Sequence, residues 1–130
     1  MAKPDFLKER AAKFFDAADY HRKMGHNSLT AFNLEQAVQL YLKYYLFLRL
    51  GDYPKMHSIE ELLEILRKAY RETETIIARI LRDDASTIGD LEQAYITSRY
   101  MGIKFSKNRI EKMRQFSEKL MAFLSTLDEL

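Results

Sequence analysis

AFNLEQAVQLYLKYYLFLRL, from Ala31 to Leu50, is apolar on nearly every side of a helix. Its polar residues fall mainly at Glu35, Gln39 and Lys43, four apart, with Gln36 beside them. A surface helix needs one apolar stripe; this segment has several, so it is either a central core helix or faces both a core and a partner, and it reads as the central strut of a bundle with an interface on its outer side. With Glu, Gln and Lys inside and fewer than about 20 unbroken apolar residues, it is a poor membrane span. The row Glu35, Gln39, Lys43 lies on one face at helical spacing, and reads as the wet edge of the strut or as a polar partner surface.

Outward from the strut, four further periodic segments follow the same rules. Pro4 to Met24 carries Leu7, Ala11, Phe14, Phe15, Ala18 and Tyr20 on a broad inward face, with Pro4 tolerable in the first turn. Gly25-His26-Asn27 breaks it before the strut. Gly51 ends the strut and Pro54 blocks continuation. Ser58-Ile59-Glu60-Glu61 has the form of a capping box, and Ile59, Leu62, Leu63, Leu66 and Tyr70 mark one face of the helix it opens. Thr73 to Leu81 either continues that helix or forms a short one of its own. Asp83-Asp84-Ala85-Ser86-Thr87 reads as a loop before a helix through Leu91, Tyr95 and Ser98, ended by Gly102. Ser106 caps a last helix with Ile110, Met113, Phe116, Leu120, Phe123, Leu124 and Leu127 inward. Short returns between such segments predict an all-α antiparallel bundle of four or five helices, with residues 1–130 as a single domain.

Composition narrows the chemistry. The 130 residues contain no cysteine, which removes disulfides, thiolate metal sites and a cysteine nucleophile, and fits a cytoplasmic protein. Met1 to Asp5 leads straight into a charged amphipathic segment with no signal-peptide core. A net charge of +2 argues little for nucleic acid on its own. No acid lies between Glu92 and Glu111, however, while Arg99, Lys104, Lys107 and Arg109 accumulate there, as a phosphate-facing patch or a solvated basic junction. His21, His26 and His57 form no recognisable metal motif, so no metal or other cofactor is expected. The four glycines are not clustered, and there is no phosphate loop, dinucleotide fingerprint, nucleophile elbow or HExxH. His57 stands just before the Ser58 cap, where the positive helix end opposes imidazole protonation and favours anions. Arg49 with His57, or Arg99 with Tyr100, are the remaining pairs that would suit phosphate or RNA.

Three stretches together resemble the HEPN domain family: Ala31–Tyr44 (AFNLEQAVQLYLKY) followed by Gly51, then Met56–Leu63 (MHSIEELL), then Ala94–Tyr100 (AYITSRY). The resemblance implies a four- or five-helix bundle, commonly a homodimer and often linked to a separate minimal nucleotidyltransferase. It makes Glu35, Lys43, His57, Arg99 and Tyr100 the candidate ligand-binding residues, with Val38, Tyr41 and Tyr45 on the pairing side of the strut. Many HEPN ribonucleases use an arginine, four to six residues, then a histidine. Here Arg49 and His57 have seven residues between them, Arg22 and His26 three, and Arg10 and His21 ten. The expectation is therefore a non-enzymatic binding module for a nucleotide or a protein partner. The alternative is a metal-independent endoribonuclease toxin of a toxin–antitoxin pair.

Overall fold

The structure is a computed structural model in which residues 4–97 and 104–130 are described. They form six α-helices and no strand: α1 (Asp5–Lys23), α2 (Asn27–Leu50), α3 (Ile59–Ala69), α4 (Glu74–Asp83), α5 (Ala85–Thr97) and α6 (Lys107–Ser125). Short 3-10 turns at Arg71–Thr73 and Thr126–Glu129 precede α4 and follow α6. The all-helical bundle is as predicted. Among the described residues no helix is long and apolar enough to cross a membrane.

The strut is the axis of the molecule. α2 packs against α1, α3, α5 and α6, and 14 of its 24 residues are buried. Four neighbouring helices thus explain its all-round apolar character without a second chain. Gly25 and Gly51 both adopt positive φ (74° and 82°), the left-handed turn that ends a helix and that glycine enters at little cost. At the first of these turns the Asn27 side-chain amide donates to the Phe105 carbonyl at 2.9 Å, fastening the start of α2 to the segment before α6.

The caps are local and follow the sequence. Ser58 Oγ accepts from the Glu61 amide and Ser106 Oγ from the Arg109 amide, each satisfying one free donor of a first turn. The carboxylate that the capping-box pattern assigns to Glu61 comes instead from across the bundle. Glu92 on α5 accepts from Ser58 Oγ at 2.6 Å and from the Glu60 amide at 3.1 Å.

The segment from Asp83 to Thr87 is a correction: it is helix end, a one-residue break at Asp84, and helix start. The Asp84 amide donates to the Ile80 carbonyl, and the Asp84 carbonyl accepts from the Ile88 amide. Asp, Ser and Thr favour turns because their side chains compete for backbone bonds, but burial of Ile80, Ile88 and Leu91 draws both sides back into helix. The option left open at Thr73 resolves as a separate α4 after the 3-10 turn, with Thr73 Oγ1 bonding back to the Tyr70 carbonyl.

Candidate functional site

Glu35, Gln39 and Lys43 are not a wet edge. They are 0%, 4% and 5% exposed, and they bond along the helix as a ladder. Gln39 Nε2 donates to Glu35 Oε2 at 2.7 Å, and Lys43 Nζ donates to Gln39 Oε1 at 3.1 Å. Gln36 Nε2 donates to the other carboxylate oxygen, Glu35 Oε1, at 2.7 Å. A buried charge survives only when it is paired and hydrogen-bonded. Here a neutral amide spans the gap between a carboxylate and an ammonium eight residues apart. Helical spacing put the three on one face; the helices packed around α2 turned that face inward.

His57 joins the ladder at its middle member, Gln39. Its Nδ1 lies 3.1 Å from Gln39 Oε1. Because Gln39 spends its amide nitrogen on Glu35, Oε1 can only accept, so Nδ1 carries a proton and donates to it. The imidazole stacks on Tyr95 of α5, with centroids 4.8 Å apart and planes at 25°. Tyr53, in the loop after α2, lies near two ammonium groups, with Lys43 Nζ 5.6 Å and Lys55 Nζ 4.4 Å from its ring centre. Burial pushes the Lys43 pKa below the usual lysine value; the Glu35 carboxylate works against that shift and Lys55 adds to it. The site is thus a buried acid–amide–base row that surfaces at an exposed, stacked imidazole.

Arg49 and His57 are not brought together. Arg49 Nη1 donates to the Ala69 carbonyl at 3.0 Å, and its guanidinium lies 4.0 Å from the Tyr70 ring centre. That is the C-terminal end of α3, whereas His57 stands at its N-terminal end. The 11 residues of α3 separate the two by about 16 Å along the axis. Arg22 is spent on Glu111 at 2.8 Å. His21 and His26 do meet, with their Nδ1 atoms 3.1 Å apart across the α1–α2 turn, as a hydrogen-bonded pair. Among the described residues no group of three or more His, Asp or Glu could hold a metal ion.

Of the basic stretch after Glu92, Arg109 is held by Asp90 through two bonds of 2.5 and 3.1 Å, while Lys104 and Lys107 are exposed. Arg99 and Tyr100, the remaining candidate ligand residues, lie outside the described residues.

Val38, Tyr41 and Tyr45, expected at a pairing surface, are covered within one chain at 0%, 7% and 0% exposure. The Tyr45 ring meets Tyr41 and Tyr44 edge-on, and its hydroxyl donates to Asp128 at 3.0 Å. Burial, then hydrogen bonding to Tyr41 and Asp128, raises its pKa far above the ordinary phenol value. The exposed large apolar side chains of α2 are Leu29, Leu48 and Leu50.

Gln39, Tyr53, Tyr95 and Glu92 are the residues that sequence reasoning undervalued. Only Gln39 carried a signal, its four-residue spacing from Glu35 and Lys43. Glu92 meets Ser58 across 34 positions, where no local pattern reaches.

No curated protein matches the chain. The family model for the HEPN domain matches residues 5–127, which span α1 to the turn after α6, and the chain belongs to the HEPN domain family.

Proposed function

We propose that this HEPN domain is a non-enzymatic binding module. In this reading it acts as a homodimer, associates with a minimal nucleotidyltransferase, and offers the edge at His57 and Tyr95, backed by the buried Lys43, to a nucleotide. The carrying observation is the ladder itself: Lys43 and His57 share one acceptor, Gln39 Oε1, and so are held in fixed register. Fixed cationic and aromatic groups orient a charged planar ligand through charge-assisted hydrogen bonds and stacking. Arg49 at the far end of α3 from His57 supports recognition over cleavage by an arginine–histidine pair, because the two would have to reach one phosphate together.

Two measurements test the proposal. Light scattering on the eluting protein should give about twice the 15.4 kDa chain mass, and a mass of one chain would remove the dimer. Titration with ATP, followed by the ring resonances of His57 and Tyr95, should shift both and lose the effect in Lys43→Gln. Unmoved rings at millimolar ATP would remove the nucleotide.

A further inference from the structure

On the opposite part of the bundle, α4 packs on α3 and α5 but stands off from α6. The gap is a cleft of about 270 Å3. Its walls are regular. α4 supplies Ile76, Arg79, Ile80 and Asp83, one helical face, and α6 supplies Phe116, Lys119, Leu120 and Phe123. The floor is apolar and partly open: Ile76 is 42% exposed, and Phe123 is half-buried. The cleft runs on into a wider polar trough that reaches Lys112, Asp90 and Arg109. On α6 the positions 109, 112, 116, 119 and 123 alternate steps of three and four, so cations and aromatics line one continuous stripe.

The charges along the stripe are unevenly spent. Asp90 is neutralised by Arg109, and Asp83 by Arg82 at 2.9 Å. Arg79, Lys112 and Lys119 form no ion pair among the described residues; Arg79 and Lys119 face Asp83 and Asp84, and over cleft and trough together four cations (Arg79, Arg109, Lys112 and Lys119) stand against three acids (Asp83, Asp84 and Asp90). The surface thus combines an apolar floor of helical period with surplus positive charge on its rim.

We infer that the α4–α6 cleft is a docking groove for an acidic amphipathic helix of a protein partner. Such a helix places anchors at i, i+3 or i+4, and i+7 in an apolar groove, and its flanking Asp and Glu meet the rim. A phosphate backbone would use the three cations but leave Ile76 and Phe123 in water. A wholly apolar segment would bury Phe123 and leave the cations without partners. Charge complementarity and the apolar period are met together only by the acidic helix. This site shares no residue with the Glu35–Lys43 ladder, so its test is independent of the nucleotide reading.

The test pans a random 16-residue peptide library on the intact protein, then measures the enriched peptides by fluorescence anisotropy. The expected peptides carry net negative charge and apolar residues at helical spacing. Ile76→Glu and Lys119→Glu, both at exposed positions and so compatible with folding, should each weaken binding by about tenfold or more. Ile76→Ala serves as a milder second variant, and thermal melts confirm that every variant is folded. Amide shifts should be confined to α4 and α6. No enrichment, enrichment of neutral or basic peptides, or binding indifferent to Ile76→Glu would overturn the inference. So would single-stranded RNA or anionic vesicles binding through Lys119 with no dependence on Ile76. A self-association that Ile76→Glu abolishes would assign the groove to a second copy and overturn it equally.

Discussion

Two sets of residues on the same helix are buried within one bundle and hold together for opposite reasons. Tyr41, Leu42, Tyr44, Tyr45 and Leu46 are buried because removing apolar surface from water is favourable, and their packing rests chiefly on shape, with the Tyr45 hydroxyl also bonded to Asp128. Glu35, Gln39 and Lys43 are buried although removing them from water is costly, and each needs a specific partner at a specific distance. The aromatic face tolerates variation in detail. The ladder fails as a unit, because Gln39 serves both neighbours and His57 at once. Packing alone asks for no lysine at position 43, and specific hydrogen bonds hold one there.

The comparison is broken or sharpened first by Leu42→Ala. Leu42 has no exposed surface, and truncation should cost about 2–5 kcal/mol in a urea unfolding experiment. It should leave ATP-induced shifts at His57 intact wherever the protein remains folded. A loss of those shifts in a folded variant would tie the two faces together and undo the contrast.

Gln39→Leu is the corresponding cut in the ladder. It keeps similar volume but removes the Gln39 bonds to Lys43 and His57 and one of the bonds to Glu35, and it should cost roughly 1–3 kcal/mol. Unlike Leu42→Ala, it should also abolish the nucleotide response. A neutral effect on stability would mean that the row consists of independent side chains.

The smallest effect is in pH. The folded protein lowers the Lys43 pKa below 10.5, chiefly by burial. The unfolded chain then holds this proton more tightly than the folded one. The penalty is fully present below the folded pKa and is relieved as pH rises toward the unfolded value. The stability of the wild type relative to Lys43→Gln should therefore rise with pH on the alkaline side, measured by denaturant titration below the range where tyrosines ionise. A flat difference would show that Lys43 is solvated like a surface lysine.

What was legible in the sequence follows the reach of each interaction. Ser58, Ser106 and Gly51 act within one turn of their own backbone, and the local pattern placed all three. The strut was legible because apolar residues on every side of a helix have few destinations. Glu35, Gln39 and Lys43 were visible as a row, but a row on a helix looks alike whether water or another helix covers it. Their burial rests on packing around α2, and the His57–Gln39 bond joins residues 18 apart across a loop. The pairing-surface reading of Val38, Tyr41 and Tyr45 met the same ambiguity, since an enclosed core helix and an interface helix share one composition. The break at Asp84 was misjudged in length because turn-forming side chains mark a boundary but not how many residues it takes.

The central claim is that the edge at His57 recognises and does not cut. It is tested most directly by incubating the purified protein with end-labelled single-stranded RNA in the presence of a chelator, beside His57→Ala. The account predicts intact RNA with both proteins. Metal-independent cleavage by the wild type, lost in a folded His57→Ala variant, would contradict it and make His57 a catalytic residue.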